Sequence, residues 1–78
     1  MKELTTEEQS ILAFCQKAKQ ISEIQHNFWI KYGKAYAILR DLTAFGIIRK
    51  EKTLSKLTIY KTTEEGLKYL SGGFKNNL

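Results

Sequence analysis

Lys31, Tyr32, Lys34, Tyr36, Ala37 and Arg40 lie on the polar side of one periodic stretch, and together they are equipped to hold a polyanion. Arg40 offers a planar fork that can pair with O6 and N7 of guanine, or close an ion pair with a nearby acid. Lys31 and Lys34 suit phosphates, which set register without reading sequence. Tyr32 and Tyr36 can touch a phosphate or a thymine methyl, and the small Ala37 lets backbone come close to a surface. A second basic run carries Lys50, Lys52 and Lys56, suited to a flanking backbone or a minor groove, or to a solvated hairpin. Eight cations and two anions lie between Lys31 and Lys61, so the net charge of +5 is concentrated in the middle of the chain. A basic half on a near-neutral body is the footprint of a polyanion binder.

Other chemistry is poorly served. There is no evident acid pair, no Ser-His-Asp set and no phosphate-binding glycine loop, so no catalytic residue and no enzyme activity is assigned. His26 stands alone among potential ligands, and a single Cys excludes an internal disulfide and a Cys-based zinc site; no metal or cofactor is expected. Cys15 reads as a buried thiol, or as one that meets its own copy across a twofold axis. No apolar run approaches the roughly 20 residues of a membrane span. Nothing suggests secretion, so a cytosolic protein without membrane partners is expected.

The elements that must position these residues follow from periodicity. Ala35, Ile38, Leu39, Leu42 and Phe45 recur in steps of three and four, which predicts a helix from Tyr32 to Phe45 closed by a left-handed Gly46. Its outward face would lie in a major groove. Before it, Thr5 with Glu8, or Thr6 with Gln9, fits a capping box for a helix over Thr6 to Ala18, with Ile11, Leu12, Phe14, Cys15 and Ala18 on its apolar face. Met1 to Leu4 would fray. Lys19 to Ile21 is a link that can add one extended rung to a small sheet. Ser22, with Gln25 three residues on, predicts the next N-cap and a short helix from Glu23 to Phe28 that buries Ile24 and Phe28. Trp29 and Phe28 read as core or interface residues, or as stacking platforms. After Gly46, Ile47 and Ile48 lead into a first strand, Leu57 to Lys61 reads as a second, and Lys52 to Lys56 is the polar tip between them. Thr62 with Glu65 predicts the cap of a last helix with Leu67, Tyr69 and Leu70 on its apolar face. Ser71 to Gly73 would end it, and 72–78 would be a loose tail on a single domain spanning 1–78, with its ordered core at about 5–71.

A short helix, a tight turn, a longer helix and a basic hairpin make a winged helix-turn-helix. The wording adds to this. ILRDLTAFGIIRK resembles the end of the recognition helix and first wing strand of MarR-type and related small archaeal and archaeal-virus regulators. IYKTTEEGLKYL resembles their second wing strand running into a Thr-x-x-Gly helix start. The resemblance covers about Ser10 to Leu70 and implies an α+β, mostly helical fold: a three-helix core, a two-stranded β-wing and a short C-terminal helix. It places the recognition helix on Lys31 to Phe45, with Lys31, Tyr32, Lys34, Tyr36, Ala37 and Arg40 outward, and the wing on Arg49 to Lys56. Many relatives have Ser or Thr where this chain has Lys31 or Gly33, so the side-chain cap of that helix is missing here.

The expectation is a sequence-specific double-stranded DNA-binding regulator, a repressor in the simplest mechanism. It would act as a homodimer on two major grooves about 34 Å apart. Ile11, Phe14, Cys15, Leu67 and Leu70 are the candidate dimer residues. An aromatic-lined dimer interface leaves room for a small-molecule effector of unknown identity. The alternative is the same fold used as a protein-interaction adaptor within a transcription or replication assembly.

Overall fold

The computed structural model describes residues 3–70, so the expected end of the last helix at Ser71 to Gly73 and the tail at 72–78 lie outside the described residues. The chain runs α1 (Thr6–Phe14), α2 (Ile21–Phe28), α3 (Tyr32–Ala44), β1 (Ile48–Lys52), β2 (Thr58–Thr62) and α4 (Glu64–Leu70). One core joins them. Leu4, Ile11, Leu12 and Cys15 pack with Ile24, Leu39, Leu42, Ile47, Ile48 and Tyr60. Leu4, expected to fray, is buried with them.

The cap of α1 is the Thr5–Glu8 pair. Thr5 Oγ1 accepts from Glu8 N at 3.1 Å, and Glu8 Oε1 accepts from Thr5 N at 3.0 Å. The helix stops at Phe14, four residues short of the expected Ala18, because strand β2 takes over its last carbonyls. The buried Thr62 hydroxyl donates to Leu12 O at 2.6 Å, and Thr62 N donates to Cys15 O at 2.9 Å. Ala18 is consequently exposed.

The expected extra rung is present: Lys19 and Tyr60 exchange both backbone hydrogen bonds, at 3.0 and 2.7 Å. Helix α2 begins at Ile21 rather than Glu23, and its cap is Gln20, whose N donates to Glu23 Oε1 at 2.7 Å. Ser22 is therefore inside the helix. Ile24 is fully buried, and Phe28 packs edge-to-face on Phe14 with ring centroids 5.4 Å apart.

Helix α3 buries Ala35, Leu39 and Leu42 completely, with Ile38 packed beside them. Phe45 does not continue the stripe. It is the C-cap, rotated away from the body, and 54% exposed. Gly46 has φ +79, as a left-handed helix end requires.

The hairpin pairs Ile48 with Thr62, Arg49 with Lys61, Lys50 with Tyr60, Glu51 with Ile59 and Lys52 with Thr58. Helix α4 is capped by Thr63, not Thr62. Thr63 Oγ1 accepts from Gly66 N at 3.1 Å and donates to Gly46 O at 2.7 Å. That one-residue shift turns Gly66, Tyr69 and Leu70 toward the body and leaves Leu67 43% exposed.

Candidate nucleic-acid interface

Two helices and a three-residue turn set the candidate surface. Trp29 closes α2 in the left-handed conformation, and Trp29 N and Ile30 N both donate to Gln25 O. Lys31 then caps α3 with extended backbone and no side-chain hydrogen bond, as the missing Ser or Thr implies.

With Ala35, Leu39 and Leu42 facing the core, a rotation of about 100° per residue puts Gly33, Ala37, Arg40 and Ala44 at the centre of the outward face. Three of these four are Gly or Ala, so helix backbone can come close to a surface, and Arg40 is the long side chain among them. A Cβ at Gly33 would meet nothing within 4 Å. Ala37 itself is half-buried between its neighbours.

Tyr32 and Tyr36 occupy one flank, ring on ring at 6.0 Å and 18°. They are 57% and 42% exposed, so Tyr32 is outside the core. Lys34 occupies the other flank. Its Nζ lies 3.4 Å from Glu7 Oε1, a contact that ties α3 to the first turn of α1. Arg40 Nε is 3.8 Å from Asp41 Oδ1, and both side chains are largely in solvent. Such exposed pairs are worth little and leave the cation free to exchange partners.

The hairpin separates the wing cations instead of gathering them. Side chains alternate between its faces. Lys50 and Lys52 share the face of Ile48, Tyr60 and Thr62, the face turned to the body. Burial pushes the Tyr60 phenol up from its ordinary range, and the phenols of Tyr32 and Tyr36 push it the same way. Lys50 and Lys52 thus extend the body-facing side of the hairpin beyond Ile48 and Tyr60. Arg49 lies on the opposite face with Lys61, and its Nε contacts Glu51 Oε2 at 2.7 Å.

The tip is a fixed turn. Lys56 N donates to Thr53 O at 2.9 Å, Thr53 N to Leu57 O at 2.9 Å, and Leu57 N to Thr53 Oγ1 at 3.1 Å. It presents Leu54 fully to solvent between Lys52 and Lys56.

Two placements differ from the sequence reading. Trp29 is not core: it is 89% exposed and stacks on His26 at 6.2 Å. Its left-handed backbone is the reason: the chain reverses there and throws the side chain outward. Of the candidate dimer residues, Ile11 and Cys15 are fully enclosed by the chain's own core. A partner can therefore meet only Phe14, Leu67 and Leu70, and Cys15 has no surface from which to reach its copy. Among the described residues no three His, Cys, Asp or Glu side chains gather into a metal site, and no helix is long and apolar enough to cross a membrane.

No family model and no curated protein matches the sequence. Solved structures do match the fold. A mutant of ZitR from Lactococcus lactis superposes with a TM-score of 0.82 at 15% identity, over 88% of this chain and 49% of its own. The transcriptional regulator BldR from Sulfolobus solfataricus gives 0.81 at 18%, over 87% and 51%. The adhesin competence repressor AdcR from Streptococcus pyogenes gives 0.81 at 17%, over 88% and 54%. ZitR, a zinc-responsive MarR family member, is also matched in complex with DNA, with a TM-score of 0.74. The chain spans about half the length of the solved chains it matches. Helix, turn, longer helix and flanking hairpin, overlaid on these regulators, give this chain a winged helix-turn-helix fold similar to theirs.

Proposed function

We propose that the chain is a sequence-specific double-stranded DNA-binding transcriptional regulator that acts as a homodimer and represses by occluding a promoter. Helix α3 enters the major groove with Gly33, Ala37 and Ala44 against the base edges and Arg40 reading a guanine. Lys31 and Lys34 hold phosphates at the groove's edge, with Tyr32 and Tyr36 beside them. Lys50, Lys52 and Lys56 rest the wing on the flanking backbone or minor groove.

The observation that carries this reading is the outward face of α3: small at its centre, arginine-bearing, and bordered by exposed cations and tyrosines. A helix face built only for solubility has no need of a small-residue centre. The fold is also one that, in ZitR, has been solved in complex with DNA.

Selection of bound duplexes from a random pool tests the reading. Enrichment of an inverted repeat is expected. Affinity for the selected duplex should fall steeply with salt, because each neutralised phosphate releases counterions. Arg40→Ala should cost about 1–3 kcal/mol and relax preference at one base pair per half-site. A pool that stays random, with affinity indifferent to salt, would overturn the proposal in favour of an adaptor.

A further inference from the structure

Trp29 is held where it contributes least to the fold. Its φ of 55 and ψ of 45 are a conformation that glycine adopts freely and a bulky side chain does not. Its side chain recovers little from the core, being 89% exposed, and its packing partner is the neighbouring His26 ring, 25° from parallel. A strained residue that is also exposed points to something outside the chain.

Beside it is an open cavity of about 450 Å³ lined by Ser22, Gln25, His26, Trp29, Ile30 and Lys31. Ser22 and His26 lie on the side of α2 away from the buried Ile24, and the half-buried Gln25 borders them. Five of the six lining side chains carry an N–H or O–H, and none carries a negative charge. Donors and a cation around an aromatic plate match a sugar–phosphate strand: anionic oxygens spaced along apolar sugar faces. A second copy of this chain would have to bring acidic or acceptor groups to the same place.

Building on the DNA-binding reading above, we propose that this cavity seats the deoxyribose–phosphate strand bordering the groove that α3 enters. The Trp29 indole lies flat on a sugar, and Ser22, Gln25 and Lys31 donate to the adjoining phosphates. Lys31 belongs both to this seat and to the cap of α3, so the two surfaces are continuous.

The chain has a single Trp, so its intrinsic emission reports on this one residue. The unsubstituted chain is titrated with a dye-labelled, pool-selected duplex while anisotropy and Trp emission are read together. Emission should be quenched or shifted to the blue with the same midpoint as the anisotropy. Trp29→Gly should melt at an equal or higher temperature, since glycine suits the left-handed turn. It should bind the duplex roughly tenfold more weakly, the scale of one lost aromatic plate, at an unchanged salt slope. Lys31→Ala should instead reduce that slope by about one.

Anisotropy that rises while Trp emission stays fixed, or Trp29→Gly binding like the unsubstituted chain, overturns the seat and leaves the DNA-binding reading standing. No rise in anisotropy with any duplex overturns both. Emission that shifts with chain concentration in the absence of DNA assigns the face to a second copy and overturns the seat.

Discussion

Lys34 is the cation of α3 whose charge is already answered from another helix. Its 3.4 Å contact with Glu7 lies at the surface, both partners being partly exposed. An exposed pair of this kind is worth up to about 1 kcal/mol, and a phosphate competes for the same ammonium. Glu7→Gln should therefore tighten duplex binding at low salt by up to about fivefold, with little change in melting temperature; unchanged affinity in a filter or anisotropy assay would show that Lys34 meets no phosphate. Cys15 makes a different residue-scale prediction. Burial pushes its thiol up from 9.0 to about 12. The unfolded chain gives up that proton first, so stability is intact below pH 9 and is lost as pH rises from 9 toward 12. Tyr60, displaced in the same direction, adds to the loss above its ordinary 10.0. Denaturant midpoints measured from pH 8 to 11.5 should fall, and Cys15→Ala should flatten the lower part of the fall. Little at this scale could be read in the sequence beyond residue type: the apolar stripe placed Cys15 inside, but no spacing in the sequence pairs Lys34 with Glu7.

Helix α3 was legible almost to the residue, because Ala35, Leu39 and Leu42 draw its buried stripe and Gly46 marks its end. The sequence places the cap of α2 two residues late and that of α4 one residue early. Ser22 and Thr62 carry good capping side chains, but tertiary contacts overrule them. Gln20 is fixed by the Lys19–Tyr60 bridge just before it, and Thr62 is drawn inward to Leu12 O. Thr62→Val should therefore cost about 1–3 kcal/mol by leaving that buried carbonyl without its donor, and chemical denaturation would measure it. Gly66 is the tighter constraint. A Cβ there would run into the Ile47 carbonyl and lie 2.6 Å from the Thr62 methyl. Gly66→Ala should lower stability by about 1–3 kcal/mol or more, as overpacking does. Alternation, a property of the strand, also divides the wing. Lys50→Ala and Lys52→Ala should each reduce the salt slope of duplex binding by about one. Arg49→Ala, on the far face beside Glu51, should leave it within error. Equal slopes for all three would mean that the hairpin meets DNA edge-on.

At the scale of the molecule, the open question is how a body of 42 × 25 × 19 Å engages a site with two halves. On the proposed reading one α3 would read one groove, and a second half-site about 34 Å away would be beyond its reach. A homodimer would supply the second helix, and linking two modest affinities raises the whole by roughly 10²–10⁴. The sequence suggested α1 and α4 as the joining surface because apolar residues there outnumber the evident needs of a small core. The structure removes Ile11 and Cys15 from that surplus and leaves Phe14, Leu67 and Leu70, of which Leu67 is the more exposed at 43%. Leu67→Glu is thus the substitution to make, since it places a charge in any apolar contact between copies without disturbing the buried face of α4. With an inverted-repeat duplex, the unsubstituted chain should bind as a pair, two chains per duplex in sedimentation, at least about a hundredfold tighter than a duplex with one half-site. Leu67→Glu should erase that advantage and keep the single half-site affinity. Two chains that bind the repeat independently would dismiss the dimer while leaving α3 in its groove.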